Sequence, residues 1–198
     1  MERISNKRLV PAATVNSADE ALGLVEAMLA GGLDIVEFTF RTEAAENAIK
    51  AVVARFPEML VGAGTILTDD QLERAVQAGA KFGIAPGCNE KIVKLAIESD
   101  LLFIPGVVTP TEIEQAMSLG CKLLKFFPSE NMGGVKTLNA LVGPYVHTGV
   151  KFIPTGGINP ENMKAYLSLP VVAAIGGSWM VSSKAIKEKN WPEITWLC

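Results

Sequence analysis

One alternation runs through the whole chain: a short β-branched or apolar stretch, then a longer stretch of helical periodicity, with turn residues between them. Strand-like stretches fall at 9–15 (LVPAATV), 34–40 (DIVEFTF), 60–66 (LVGAGTI), 82–86 (FGIAP), 102–107 (LFIPGV), 123–128 (LLKFFP), 152–157 (FIPTGG) and 171–177 (VVAAIGG). Alternating βα units build either an open doubly wound sheet or a closed barrel, and periodicity alone does not separate the two. The count of eight and the even spacing favour the barrel, so the expected fold class is α/β, a compact (βα)8 TIM barrel. No linker or shift in composition interrupts the pattern, and residues 1–198 are expected to form a single barrel domain.

The helix signals agree with this division. Ser17 or Asp19 can cap one helix that ends at Gly31 and Gly32, and Thr68 another that ends at Gly79. Thr109 before Pro110 and Asn159 before Pro160 mark two more starts, because proline fits the first helical turn.

With 49% hydrophobic and 20% charged residues, the chain can bury one core. A formal charge of −3 gives no general attraction to nucleic acid or an anionic membrane surface, so neither is expected as a partner. No apolar stretch approaches the roughly 20 residues that span a bilayer. The N-terminal MERISNKRLVP lacks a long apolar segment before a cleavage site, so a cytoplasmic location is expected. Cys88, Cys121 and Cys198 are far apart and His147 is the only histidine, which leaves no metal-ligand cluster and no histidine-based triad that avoids His147.

Chemistry enters where charge interrupts an apolar strand. A parallel barrel strand is buried on both faces, yet Lys125 lies between Leu124 and Phe126, and Glu37 between Val36 and Phe38. A period of two places Glu37, Thr39 and Arg41 on one face and Val36, Phe38 and Phe40 on the other. The apolar face suits the helices, which directs Glu37 and Arg41 toward the barrel interior or mouth. A Lys125–Glu37 ion pair that merely fills the barrel is the structural alternative, but such pairs are often no more stabilising than apolar residues of similar volume. A lysine among apolar side chains has its charged form disfavoured, and the neutral amine that results can attack a carbonyl.

Two Gly-Gly pairs, Gly156–Gly157 in PTGGINPEN and Gly176–Gly177 in IGGSW, close the last two strand-like stretches. Glycine lets the backbone approach a ligand, and the loops after strands seven and eight of a barrel are a frequent phosphate site. Thr65 in VGAGT and Pro86 in IAPG stand at two other strand ends.

Taken together, GGLDIVEFTFRTE, VGAGTILT, APG, PGVVTPTE, LKFFPSENMGGVKTLNALVGP, PTGGINPEN and GGSWM resemble, in order and over nearly the whole chain, the 2-keto-3-deoxy-6-phosphogluconate (KDPG) and 4-hydroxy-2-oxoglutarate (KHG) aldolases. The resemblance implies that Lys125 forms a Schiff base and that Glu37 moves protons. It further implies that Arg41 and Thr65 hold the substrate carboxylate and that Pro86 and Phe127 pack around the pyruvate end. Gly156, Gly157, Gly176, Gly177 and Ser178 would bind the phosphate. From its place just before Gly156, Thr155 is expected to donate a hydrogen bond to the C4 hydroxyl, which favours the gluconate over the galactonate epimer. The implied enzyme is a class I aldehyde-lyase that uses a covalent lysine imine with no metal or added cofactor, and the family is usually homotrimeric. Its substrates would be a phosphorylated keto acid and pyruvate, partners of small-molecule kind. Two departures stand out: only eight residues precede Leu9, where relatives carry a longer segment covering the barrel bottom, and Ala85 stands where relatives often have serine. The alternatives are a sugar-phosphate epimerase or isomerase on the same scaffold, and a catalytically silent barrel serving in assembly.

Overall fold

Each of the eight strand-like stretches contains a strand, most of them shorter than expected; one is cut in two, and the last begins four residues late. The computed structural model describes residues 1–198 and contains β1 (Leu9–Ala13), β2 (Ile35–Thr39), β3 (Leu60–Gly64), β4 (Phe82–Ile84), β5 (Leu102–Ile104), β6 (Gly106–Val107), β7 (Leu123–Phe126), β8 (Lys151–Pro154) and β9 (Ile175–Gly177). All pairings are parallel, and they form a six-stranded sheet in the order β5-β4-β3-β2-β1-β9 and a three-stranded sheet β6-β7-β8. The pairing is therefore divided in two where one ladder of eight strands was expected. The break at 102–107 falls on Pro105, which has no N–H to give to a ladder. Its carbonyl still accepts the Lys125 N–H at 2.8 Å. At the other junction, 171–174 lies outside β9, and the contact with β8 consists of two isolated parallel bridges, Phe152 with Val172 and Thr155 with Gly176.

The helices are α1 (Glu2–Lys7), α2 (Ala18–Ala30), α3 (Ala45–Arg55), α4 (Asp69–Gln77), α5 (Glu90–Glu98), α6 (Pro110–Ser118), α7 (Gly134–Val142), α8 (Met163–Leu167), α9 (Ser183–Lys187) and α10 (Trp191–Leu197). None is long and apolar enough to cross a membrane. Ser17 accepts the Glu20 N–H at 3.1 Å and Thr68 the Gln71 N–H at 3.2 Å, so both capping expectations hold. Thr109 caps α6 reciprocally: its hydroxyl accepts the Glu112 N–H at 3.3 Å, and the Glu112 carboxylate accepts the Thr109 N–H at 2.8 Å. The start expected at Pro160 is displaced. Asn159 Oδ1 accepts the N–H groups of Glu161 (2.9 Å) and Asn162 (3.2 Å), which closes a turn over 160–162, and α8 begins only at Met163.

Two apolar clusters result. The larger contains Val36, Phe38 and Phe40 of the β2 segment with helix residues such as Leu24, Met28, Ile49 and Val52. The smaller gathers Val10, Ile35, Phe82, Ile84, Ile104, Leu123 and Ile153, all from strands, together with Ile4. Ile4 is fully buried, so the eight residues before Leu9 already supply a helix whose side chain plugs this end of the strands. Burial of that one side chain contributes about 1.5–3 kcal/mol. Asp34, just before β2, receives the Arg3 guanidinium at 2.6 Å and fastens α1 in place.

Candidate active site

Strand alternation sends Ile35 and Leu123 into the small cluster, and the next residues on the same faces, Glu37 on β2 and Lys125 on β7, rise above it. They meet in a cavity of about 250 Å³. Glu37 is 3% exposed and Lys125 6%, so both are buried ionisable side chains, and both line this cavity. Glu37 has its place because β3 carries glycine opposite: a β-carbon on Gly64 would collide with the carboxylate. The ring of Phe127 packs against the amine, with its centroid 4.8 Å from Nζ.

The ion pair weighed as structural filler is absent. No ion pair within 4.0 Å joins Lys125 to Glu37 or to any other carboxylate. Burial pulls the Lys125 amine below the ordinary lysine range; the Glu37 charge opposes this and Arg41 adds to it. Burial likewise raises the Glu37 carboxyl above the usual carboxylate range, against the pull of Lys125 and Arg41. The two shifts run toward neutrality on both groups, which favours the neutral amine over what an ordinary lysine offers and brings the carboxyl closer to exchanging a proton.

Across the cavity the backbone supplies donors. Gly156 and Gly157 take left-handed conformations (φ 99° and 78°) that a side chain would strain. Their N–H groups and that of Ser178 donate to no backbone carbonyl. Gly157 and Ser178 are exposed, so these polar groups are available at the mouth. Such a set of free N–H groups suits an anion.

Lys125, Glu37, Arg41, Phe127, Thr155, Gly156, Gly157, Gly177 and Ser178 all line this cavity. Three other residues singled out in the sequence lie outside its wall. Pro86 lines a neighbouring, more apolar cavity of about 410 Å³ with Ile66, Cys88 and Phe103. Thr65 follows β3 with φ 58°, a left-handed conformation that is costly for a β-branched residue and recurs at functional sites. Gly176 is a buried strand residue whose missing β-carbon leaves room for the Thr155 side chain.

The sequence reading missed Thr14 and Ser183, which also line the cavity. Thr14 shares a hydroxyl–hydroxyl hydrogen bond of 2.8 Å with Thr39, the residue between Glu37 and Arg41 on the same face. The period of two along 9–15 puts Thr14 in line with Val10 and Ala12, and that signal was there to be used. Ser183 opens α9 beyond a 3₁₀ turn at 179–181, and no local pattern marks it. The cysteines form no disulfide, and burial pushes the thiols of Cys121 and Cys198 up to about 11. His147 sits exposed in the 3₁₀ segment Gly143–Thr148, away from the cavity wall.

With this geometry in hand, comparison with known proteins is informative. A family model described as KDPG and KHG aldolase matches residues 1–197. The 2-dehydro-3-deoxy-phosphogluconate aldolase of Haemophilus influenzae is 42% identical over 194 residues, 98% of this chain and 91% of that protein. The KHG/KDPG aldolase of Escherichia coli K12 is 43% identical over 187 residues, 94% of this chain and 87% of the other. A crystal structure of KDPG aldolase from Legionella pneumophila, with pyruvate captured at low pH as a covalent carbinolamine intermediate, superposes with a TM-score of 0.92 at 41% identity, covering 96% of this chain and 92% of that one.

Proposed function

The chain belongs to the KDPG and KHG aldolase family, and from that premise we propose that it is a class I aldolase cleaving 2-keto-3-deoxy-6-phosphogluconate to pyruvate and glyceraldehyde 3-phosphate. The observation that carries the reading is the placement of Lys125: a buried amine, free of any carboxylate within 4.0 Å, opening onto the same cavity as Glu37. The neutral amine attacks the C2 ketone, and loss of water gives an iminium. Glu37, directly or through water, takes the proton of the C4 hydroxyl, and the C3–C4 bond breaks with its electrons flowing into the iminium. Glyceraldehyde 3-phosphate leaves. The enamine takes a proton at C3 from the same carboxyl, and hydrolysis releases pyruvate and the free amine.

The other residues divide the substrate between them. Arg41, close enough to shift both Glu37 and Lys125, holds the carboxylate, and Phe127 covers the imine. Thr65, at the end of β3, holds the carboxylate with Arg41, and Pro86, in the wall of the second cavity, closes the pyruvate end. Gly156, Gly157 and Ser178 offer backbone N–H groups to the phosphate, Gly177 forms part of the same wall, and Gly176 acts through the space it leaves for Thr155. Thr155 meets the C4 hydroxyl and sets the preference for the gluconate epimer; 4-hydroxy-2-oxoglutarate is the second substrate. In the same reading the strands close as a (βα)8 barrel, with β5 and β6 acting as one strand and the two bridges joining β8 to β9. The assembly is a cytoplasmic homotrimer, which light scattering would test directly.

Borohydride reduction in the presence of pyruvate tests the central step. A single adduct on Lys125, located by mass spectrometry of the peptide, supports the imine; cleavage without an adduct would rule out the imine mechanism, and neither adduct nor cleavage would favour the epimerase or isomerase class. Rates on the two sugar-acid epimers and on 4-hydroxy-2-oxoglutarate, measured side by side, decide the specificity.

A further inference from the structure

Tyr166, on α8, is fully buried, and its hydroxyl lies 2.9 Å from Ser129 Oγ and also hydrogen-bonds the Glu130 carboxylate. The direction of both bonds follows from donor count. A carboxylate only accepts, so the phenol donates to Glu130 and accepts from the Ser129 hydroxyl. Burial and the Glu130 charge push the phenol up to about 12, which keeps this donor in place across the working pH range.

Ser129 and Glu130 follow Lys125 by four and five residues. Their own N–H groups donate to Thr155 O at 2.8 Å and Gly156 O at 3.0 Å. Asn162, in the turn before α8, donates to Gly157 O at 3.0 Å. Gly157 packs so closely on Glu130 that a β-carbon there would lie 2.7 Å from Glu130 Cβ. The segment after Lys125 and the Gly156–Gly157 loop are thus held to each other by backbone bonds, and one phenol on a third element fixes the side chains of the two residues that make those bonds.

We propose that Tyr166, through Ser129 and Glu130, is a positioning residue that sets the distance between the imine-forming amine and the loop holding the far end of the substrate. The inference rests on the phosphate role given to that loop above. It also gives Glu130 a reason to be tied down: a carboxylate released beside the loop would repel an anion.

The test is Tyr166→Phe, which keeps the buried ring and removes only the hydroxyl. Steady-state kinetics are measured on 2-keto-3-deoxy-6-phosphogluconate and on 4-hydroxy-2-oxoglutarate, which has no phosphate. The expected result is a KM for the phosphorylated substrate raised about tenfold, the scale of one lost buried hydrogen bond. KM and kcat for 4-hydroxy-2-oxoglutarate, and pyruvate trapping by borohydride, should stay within about twofold of the parent. Equal losses on both substrates, or unchanged KM on both, would overturn the proposal. If Tyr166→Phe does not fold, Ser129→Ala is read by the same pair of substrates with the same expectation. A parent enzyme that shows no preference for the phosphorylated substrate removes the phosphate site and this proposal together. A parent that prefers it while the variant loses none of that preference overturns the proposal alone.

Discussion

The carboxylate of Glu37 occupies the space that a side chain on Gly64 would need, two residues in adjacent strands with no room for both. Thr39 and Gly64 are register partners in the β2–β3 ladder, so the glycine is fixed beside the strand that carries Glu37 by backbone pairing. Gly64→Ala should therefore displace the carboxylate and leave Lys125 untouched. Overpacking of this kind costs about 1–3 kcal/mol, read as a lowered denaturation midpoint. Its kinetic signature should be that of a lost proton carrier: pyruvate still trapped by borohydride, turnover reduced at least about tenfold. Full activity in the folded variant would show that Glu37 can work from another position.

Lys125→Ala should abolish both turnover and borohydride trapping while the fold remains, because Leu124 and Phe126 on either side are fully buried and continue to hold the strand. Circular dichroism and the oligomer mass of the variant should match the parent. Residual turnover above contamination level in a pure preparation would rule out the imine.

The lowered Lys125 amine makes a pH prediction of defined sign. The reactive form is the neutral amine, so trapping of limiting pyruvate should accelerate as pH rises and level off before the ordinary lysine pKa of about 10.4. A rate that climbs all the way to that value would mean an unshifted amine. Stability gives the same sign. Between the lowered folded value and the unfolded one, the unfolded chain binds more protons, so the parent gains stability with rising pH over that interval. Lys125→Ala should lose that gain. Glu37 acts in the opposite sense: its raised carboxyl makes the folded chain bind more protons, so its share of stability falls as pH rises through the raised value.

Much of this site is legible in the sequence. Glu37, Arg41 and Lys125 were found because a charge within an apolar parallel strand breaks a simple rule, and alternation told which way each points. Gly156 and Gly157 stood out because a Gly-Gly pair ends each of the last two strand-like stretches, where a barrel often holds a phosphate. Gly64 was visible in VGAGT, yet its reason, the bulk of Glu37 on the next strand, depends on register, which local sequence does not carry. Pro105 lies inside a stretch whose apolar pattern predicts one strand, and its missing N–H is what ends β5. Tyr166 and Ser129 are 37 residues apart in sequence, and no period or motif couples them.

The role of α1 can be measured as well. Ile4 is fully buried among strand residues, so Ile4→Ala should cost about 2–5 kcal/mol in chemical denaturation. The intrinsic kcat of the folded fraction should hold, because the cluster lies beneath the catalytic face rather than in it. A cost under about 0.5 kcal/mol would mean that α1 does not close this end in solution.

Glu37→Gln separates the two proton steps from the covalent one. The amide keeps the shape of the carboxyl but cannot take up a proton, so C4–OH deprotonation and enamine protonation should both fail while imine formation proceeds. Lys125 supplies the covalent bond, and removing a charge whose effect is to raise the amine pKa should if anything leave more neutral amine at neutral pH. Pyruvate should therefore still be trapped at near the parental rate. Cleavage, and exchange of the pyruvate methyl protons with solvent, should fall by about 10²- to 10⁴-fold, the range expected for lost acid-base catalysis. Exchange reads the C3 step alone, since it needs only imine formation and reversible enamine protonation. If exchange ran at the parental rate in this variant, another group would protonate the enamine, and the place of Glu37 opposite Gly64 would have to be explained by carboxylate binding or charge balance with Arg41.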